Sequence, residues 1–219
     1  MPDQLVFPFG VKEARGRGDF LVAPSNDQAL AFVEAWPDWP VRAAAIWGPP
    51  QSGKSHLAAI WCVRAKAQLL QFSALAALDL AQYSPQQAFA LEWDIPTCDM
   101  KCERVLLNLF ERPKSMLLFT ARKHPEEWET SIGDLRSRFN ALLAFQVHAP
   151  DDALLARLVR KHFSDRQLEV GDAVVTRLLT HLERTPEAIA RFIARLDETA
   201  LAERCPISER LVLELIGSE

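Results

Sequence analysis

The chain has no run approaching the ~18 apolar residues of a membrane span, and its opening Met1-Pro2-Asp3-Gln4-Leu5 lacks a basic stretch followed by an apolar one. Membrane insertion and secretion are therefore not expected, and the cytoplasm is the expected location. Cysteine is scarce, with four in the chain. Cys62 and Cys205 stand alone; Cys98 and Cys102 could share a helix face, but no second pair completes a zinc site. Neither sign of charge dominates: 25 basic against 29 acidic side chains give a net charge of -4. The surface as a whole is thus not drawn to nucleic acid or anionic membrane, which favours protein or small-molecule partners. Internal repeats and low-complexity segments are absent. What is present is enough apolar material for a packed core: 49% hydrophobic and 25% charged residues over 219 positions. That length suits one ordinary domain, or one domain with a small lid, and the composition excludes disorder and fibrous classes.

The first forty residues are punctuated by proline and glycine and read as an arm, residues 1–18, leading toward a helix over Asn26 to Trp36. From Val41 the pattern alternates. Strands are expected at Ala43 to Trp47, Gln68 to Phe72, Phe89 to Trp93, Met116 to Thr120 and Phe145 to His148. Helices are expected at Gly53 to Ala67, Cys102 to Phe110 and Ile132 to Leu142. Such alternation predicts an α/β fold, a mainly parallel sheet with helices on both faces, over residues 19–150. After Ala149-Pro150 the strand signals stop. Amphipathic stretches follow at Asp151 to Phe163, Gly171 to Leu182, Pro186 to Ala202 and Ser208 to Ile216, where Thr185-Pro186 supplies a helix cap followed by proline at the first helical position. Residues 151–219 therefore read as a small all-helical subdomain.

Gly48-Pro49-Pro50-Gln51-Ser52-Gly53-Lys54-Ser55 fits the phosphate-binding P-loop and lies between an expected strand and an expected helix, where the chemistry needs it. The glycines let backbone amides turn toward phosphates, Lys54 offsets the terminal phosphate charge, Ser55 can ligate magnesium, and the helix start, with His56, adds its dipole. A P-loop site also needs an acidic residue at a neighbouring strand end. Phe89-Ala90-Leu91-Glu92-Trp93-Asp94 offers Glu92 if the strand ends at Leu91, or Asp94 if it slips by one. Neither supplies a plain acidic pair, so only weak intrinsic turnover is expected. The five histidines have no evident catalytic or metal partner.

These residues resemble the bacterial initiator-related AAA+ ATPases, the DnaA family, and within it the Hda-like regulators. The resemblance covers nearly the whole chain. Asp19-Phe20-Leu21-Val22-Ala23-Pro24-Ser25-Asn26 is similar to the family segment that cups the adenine, which implies contacts from Phe20 and Val22, although Ala23 stands where glycine is usual. Leu117-Leu118-Phe119-Thr120-Ala121-Arg122 is similar to the sensor 1 strand, with Thr120 as the polar sensor. Leu135-Arg136-Ser137-Arg138-Phe139 looks like the arginine-finger box, with Arg138 as the finger; read alone, it is an amphipathic helix with exposed arginines. The helical tail resembles the family's lid. Its sensor 2 arginine position falls here on Glu187, with Arg184 three residues earlier and able to reach phosphates only if the helix starts early. Loss of that arginine implies weaker triphosphate than diphosphate binding. Gln4-Leu5-Val6-Phe7-Pro8-Phe9 is similar to the short peptide with which bacterial proteins dock onto the replication sliding clamp. Glutamine, spaced apolar side chains and a rigidifying proline suit an extended strip entering an apolar groove.

The resemblance implies an AAA+ protein binding ADP or ATP with magnesium, partnered by the sliding clamp and by DnaA, in which it would promote hydrolysis of bound ATP and so restrain replication initiation. Self-association is compatible with it. No basic recognition helix follows the lid, so sequence-specific DNA binding is not expected. A helicase-loader ATPase is the alternative, disfavoured by the Gln4 to Phe9 peptide. A small-molecule P-loop kinase would need an acceptor pocket and base that the lid region does not offer.

Overall fold

The computed structural model describes residues 16–93 and 99–217. The peptide containing Gln4, Leu5, Phe7, Pro8 and Phe9 lies outside the described residues, as do Asp94 and Cys98. The apolar runs form five strands: β1 (Ala43–Trp47), β2 (Gln68–Gln71), β3 (Phe89–Trp93), β4 (Leu117–Ala121) and β5 (Leu143–Gln146). Every pairing is parallel, in the order β2-β3-β4-β1-β5. Parallel neighbours require crossovers, and these are helical: α2 (Lys54–Ala65) covers one face together with α1 (Asp27–Glu34), which precedes β1, while α3 (Phe72–Leu75), α4 (Met100–Glu111) and α5 (Gly133–Asn140) cover the other.

The pleat sorts alternate residues between the two cores. Ala44, Ile46, Ala90 and Leu118 pack with α1 and α2, whereas Ala45, Phe89, Leu91, Trp93, Leu117, Phe119 and Ala121 pack with α4 and α5. This alternation places Glu92 and Thr120, cross-strand partners in the β3/β4 register, on the face of α2. Strand boundaries follow the sequence expectation at β1 and β3 and differ most at β5, which runs Leu143–Gln146 rather than Phe145 to His148. β5 pairs with β1 alone, and as an edge strand its ends are exposed, so it carries no continuous apolar run to mark its start. Helix α3, at four residues, is too short to show a helical period and has no counterpart in the sequence reading.

Four helices follow the sheet: α6 (Asp152–Ser164), α7 (Asp172–His181), α8 (Pro186–Ala202) and α9 (Glu209–Ile216). They enclose a separate core in which Val159, Phe163, Leu178, Leu196 and Val212 are essentially inaccessible. The starts of α6 and α8 are chemically fixed. The Asp151 carboxylate accepts from Leu154 N at 2.7 Å and the Thr185 hydroxyl from Ala188 N at 3.1 Å, each satisfying an otherwise orphaned helical amide. The Arg166 guanidinium donates to both Asp197 oxygens, at 2.8 and 2.5 Å, tying the turn after α6 to α8. Helix α6 also reaches the α/β layer. Arg157 Nη1 donates to the Val22 carbonyl at 2.7 Å, and Lys161 Nζ donates to Asp19 at 3.0 Å; the latter bond holds the Asp19 carboxyl below its ordinary range. Among the described residues no helix is long and apolar enough to cross a membrane.

Candidate functional site

The chain leaves β1 at Trp47 and must turn at once to enter α2. Gly48 adopts φ 153° and Gly53 φ 97°, backbone conformations that side-chain-bearing residues rarely take. Gly48 N donates to the Ala121 carbonyl at 3.1 Å, pinning the loop to the end of β4, and a Cβ on Gly48 would fall 2.0 Å from the Val147 carbonyl oxygen. Gly53 abuts the Phe20 ring, whose edge would lie 3.3 Å from an added Cβ. Gln51 is also left-handed, at φ 61°. Gly53 provides no side-chain cap for α2, so the first amides of that helix are left for another acceptor, at its positive end.

The loop, the ends of β3 and β4 and the start of α2 enclose a cavity of about 150 Å³, lined by Pro50, Gln51, Lys54, Ser55, Glu92, Thr120 and Arg122. Lys54 is 8% exposed; its ammonium donates to the Pro49 carbonyl at 2.6 Å and to the Ser52 hydroxyl at 3.4 Å, which holds it against the loop. Strand β3 continues through Trp93, and Trp93 packs into the α4/α5 core, leaving Glu92 on the cavity side. Beneath Glu92 the Cys62 thiol is pushed up to about 11 by burial, with the Glu92 charge adding to the effect, so it stays protonated and is no nucleophile. Two cations and one carboxylate thus surround a void bounded by a helix start and two glycine-enabled turns. This chemistry fits a phosphate group with a hydrated divalent cation between Ser55 and Glu92.

The remaining residues expected at the site fall around this cavity in different ways. Phe20 is buried under the loop, and His56 meets it edge-on with ring centroids 5.1 Å apart; the His56 Nε2 lies 3.0 Å from the Gly16 carbonyl oxygen. Val22 is 39% exposed. Helix α8 starts at Pro186, after Arg184, so the early start that would carry Arg184 to the phosphates does not occur; Arg184 pairs with Asp152 at 3.2 Å. At the position after Pro186, Glu187 accepts a hydrogen bond from Gln51 Nε2 at 2.7 Å. The helical layer therefore presents a carboxylate to the loop. Arg138 lies on α5, outside the cavity lining. Leu135 and Phe139 anchor that helix with at most 1% exposure, and the half-buried Arg138 guanidinium rests over the Phe110 ring, 5.7 Å from its centroid.

Two features have no signal that a linear reading would weigh as binding. The Gln51–Glu187 bond joins residues far apart in the chain. Arg122 is legible only through the strand period, two positions beyond Thr120.

No family model matches the chain, and no curated protein sequence does. Solved structures do match. Domain III of the replication initiation protein DnaA from Thermotoga maritima superposes with a TM-score of 0.72 at 16% identity, covering 93% of this chain and 96% of that one. The Holliday junction branch migration motor RuvB of Thermotoga maritima gives 0.71 at 17% identity, covering 93% and 72%. This is the AAA+ P-loop fold. AMPPCP-bound DnaA from Aquifex aeolicus gives 0.67 at 16% identity, covering 81% of this chain but only 63% of that one, so the AAA+ fold seen here spans less than two thirds of that protein.

Proposed function

We propose that this chain is an adenine-nucleotide-binding regulator of DNA replication initiation, which docks on the polymerase sliding clamp and promotes hydrolysis of ATP held by DnaA. The observation that carries this reading is the convergence of Lys54, Ser55, Glu92 and Thr120 on one cavity, in a fold that matches DnaA domain III along 93% of this chain. Residues 1–18 are assigned to a clamp-docking arm, 19–150 to the nucleotide domain and 151–219 to its lid. Lys54 and the loop amides hold the phosphates, Ser55 and Glu92 hold magnesium, Thr120 orients the terminal phosphate, and Phe20 with Val22 borders the base. A bound magnesium nucleotide supplies the charged phosphates that these groups offset. Its hydrolysis in this chain is weak at most, because Trp93 turns away and Glu92 is the acid among the described residues of the cavity. Arg138, on a separate helix, acts instead on a partner's nucleotide, where a guanidinium offsets charge developing on the transferred phosphoryl group. Single-turnover decay of ATP preloaded on DnaA, with clamp and DNA present, tests the whole reading. Acceleration that depends on both the clamp and this chain is the expected result, and unchanged decay rejects it.

Docking through the N-terminal peptide carries its own expectation. Gln4→Ala combined with Leu5→Ala should weaken binding to immobilised clamp at least about tenfold, because a short extended peptide concentrates its affinity in a few anchors, while leaving the melting temperature unchanged. Surface plasmon resonance reads the affinity and thermal unfolding followed by circular dichroism reads the stability, and equal affinity would remove the peptide from the mechanism.

The Gln51–Glu187 contact sets a preference among nucleotides. A carboxylate held at the loop disfavours the additional negative charge of a triphosphate relative to a diphosphate, an effect of order 1 kcal/mol even when well screened. Glu187→Arg should therefore raise affinity for AMPPCP relative to ADP about tenfold. Calorimetric titration with both ligands would reveal an unchanged ratio if the carboxylate has no such influence.

A further inference from the structure

The cavity holds a second cation that the P-loop pattern does not include. Strand β4 ends at Ala121, and side chains alternate along it: Leu118 and Thr120 face α2, while Phe119 and Ala121 enter the opposite core. The same period returns Arg122 to the α2 face, where it lines the cavity beside Thr120, Glu92 and Lys54. Its backbone is fixed where it matters, since the preceding carbonyl, that of Ala121, accepts from Gly48 N at 3.1 Å. Arg122 is therefore carried by the peptide that anchors the start of the loop, and it stands one step farther than Thr120 toward the carboxyl end of the sheet, where ligands of open α/β folds bind. Its side chain is exposed at the cavity rim, while Lys54 is buried against the loop wall.

The signs of charge around the cavity give this placement a consequence. From the helical layer Glu187 brings a carboxylate to Gln51, and Arg184, its nearest arginine neighbour toward the amino terminus, is paired with Asp152. Arg191, four residues farther along α8 than Glu187, pairs with Glu183 at 3.5 Å, and the cation beyond Lys54 in the cavity lining is Arg122, on the sheet side. A guanidinium is suited to a terminal phosphate, because its planar fork can bridge two phosphate oxygens and it remains charged at every accessible pH.

We propose that Arg122 is the phosphate-selecting residue of this site, a cation supplied in cis from the end of β4 that contacts the terminal phosphate of a nucleoside triphosphate and compensates for the carboxylate Glu187 of α8. The proposal rests on the nucleotide-binding reading above and adds to it a residue and a discrimination. Arg122 acts on the phosphate that distinguishes a triphosphate from a diphosphate, whereas Lys54 and the loop serve both.

The test is calorimetric titration of the full chain with ADP and with AMPPCP, each with magnesium, for the wild type, Arg122→Ala, Arg122→Gln and Lys54→Ala. The expected result is a loss of AMPPCP affinity of about tenfold or more in both Arg122 variants, with ADP affinity changed less than about twofold, and loss of both ligands in Lys54→Ala. The glutamine variant keeps the stem and hydrogen-bonding capacity without the charge, so agreement between the two variants excludes a packing effect, and unchanged far-ultraviolet circular dichroism establishes that both are folded. Equal weakening of ADP and AMPPCP, or no change in either, overturns the role of Arg122 while leaving nucleotide binding intact. A wild-type chain that binds neither ligand overturns the nucleotide-binding reading itself, and the proposal with it.

Discussion

Replacing Gly48 with alanine should destabilise the fold by about 3 kcal/mol or more and lower the melting temperature by roughly 6 °C or more. Two independent costs combine. The φ of 153° lies in a region that a Cβ excludes, and the methyl group would sit 2.0 Å from the Val147 carbonyl oxygen, well inside contact distance. Neither partner can retreat cheaply. Val147 is fully buried, its amide donates to the Trp47 carbonyl at 2.8 Å, and the next amide, of His148, donates to the Ser25 carbonyl at 3.0 Å. On the other side Gly48 N is committed to Ala121. Gly133 provides the control, since a Cβ there meets nothing within 4 Å, and alanine at that position should leave stability nearly unchanged. Thermal unfolding followed by circular dichroism compares the two, and a Gly48→Ala melting temperature within about 2 °C of the wild type would mean that the loop can relax in a way its hydrogen bonds give no sign of.

Arg138→Ala should reduce stimulation of DnaA-bound ATP hydrolysis by roughly a thousandfold, by analogy with arginine fingers in other phosphoryl-transfer systems, while barely affecting the chain's own nucleotide binding. The residue is less detached from its own fold than an amphipathic reading of α5 implies. Its guanidinium lies over Phe110, a contact worth about 0.5–1 kcal/mol, so the alanine variant should also melt a few degrees lower. That small shift separates the packing role from the catalytic one, because Arg138→Lys should recover much of the stability but little of the stimulation, a point charge lacking the donor fork. Single-turnover hydrolysis measured beside melting temperature distinguishes them. Full stimulation by the alanine variant would place the finger elsewhere, with Arg136 next in line; its Nη2 donates to the Thr130 carbonyl at 3.2 Å.

Much of the architecture is legible in the sequence because its signals are local. The run Ala43 to Trp47, closed by Gly48, announces a buried strand and a turn; Thr185-Pro186 announces the start of α8 to the residue. The interior strands are readable since both of their faces are largely buried and at most a single polar residue, Glu92 in β3 and Thr120 in β4, interrupts their apolar runs. Edge strand β5 is readable only approximately, because exposure at Leu143 and Gln146 breaks that continuity. The choice between Glu92 and Asp94 could not be made from Phe89 to Asp94 alone, since it depends on where the strand ends; Trp93, buried on the far face, decides the placement of Glu92. Arg184 illustrates the opposite case. The sequence offers an arginine at a plausible distance, but its orientation depends on an ion pair with Asp152, a residue brought close only by tertiary packing. The Gln51–Glu187 bond is of the same kind, with no trace in either segment taken singly.

The sheet order also bears on how the molecule is made. β1 emerges from a ribosome long before either of its neighbours, β4 and β5, and the two carbonyls that shape Gly48 belong to Ala121, at the end of β4, and Val147, just after β5. The nascent chain thus carries the glycines, Lys54 and Ser55 of the loop without the frame that bends them into a cradle. A phosphate ligand has nothing formed to grip until the last strand has closed the sheet, and cannot act as a template for the earlier steps. Non-local strand pairing is the slow step expected of such a topology, and a ligand that binds only after it should lengthen the lifetime of the finished protein while leaving its rate of folding largely untouched.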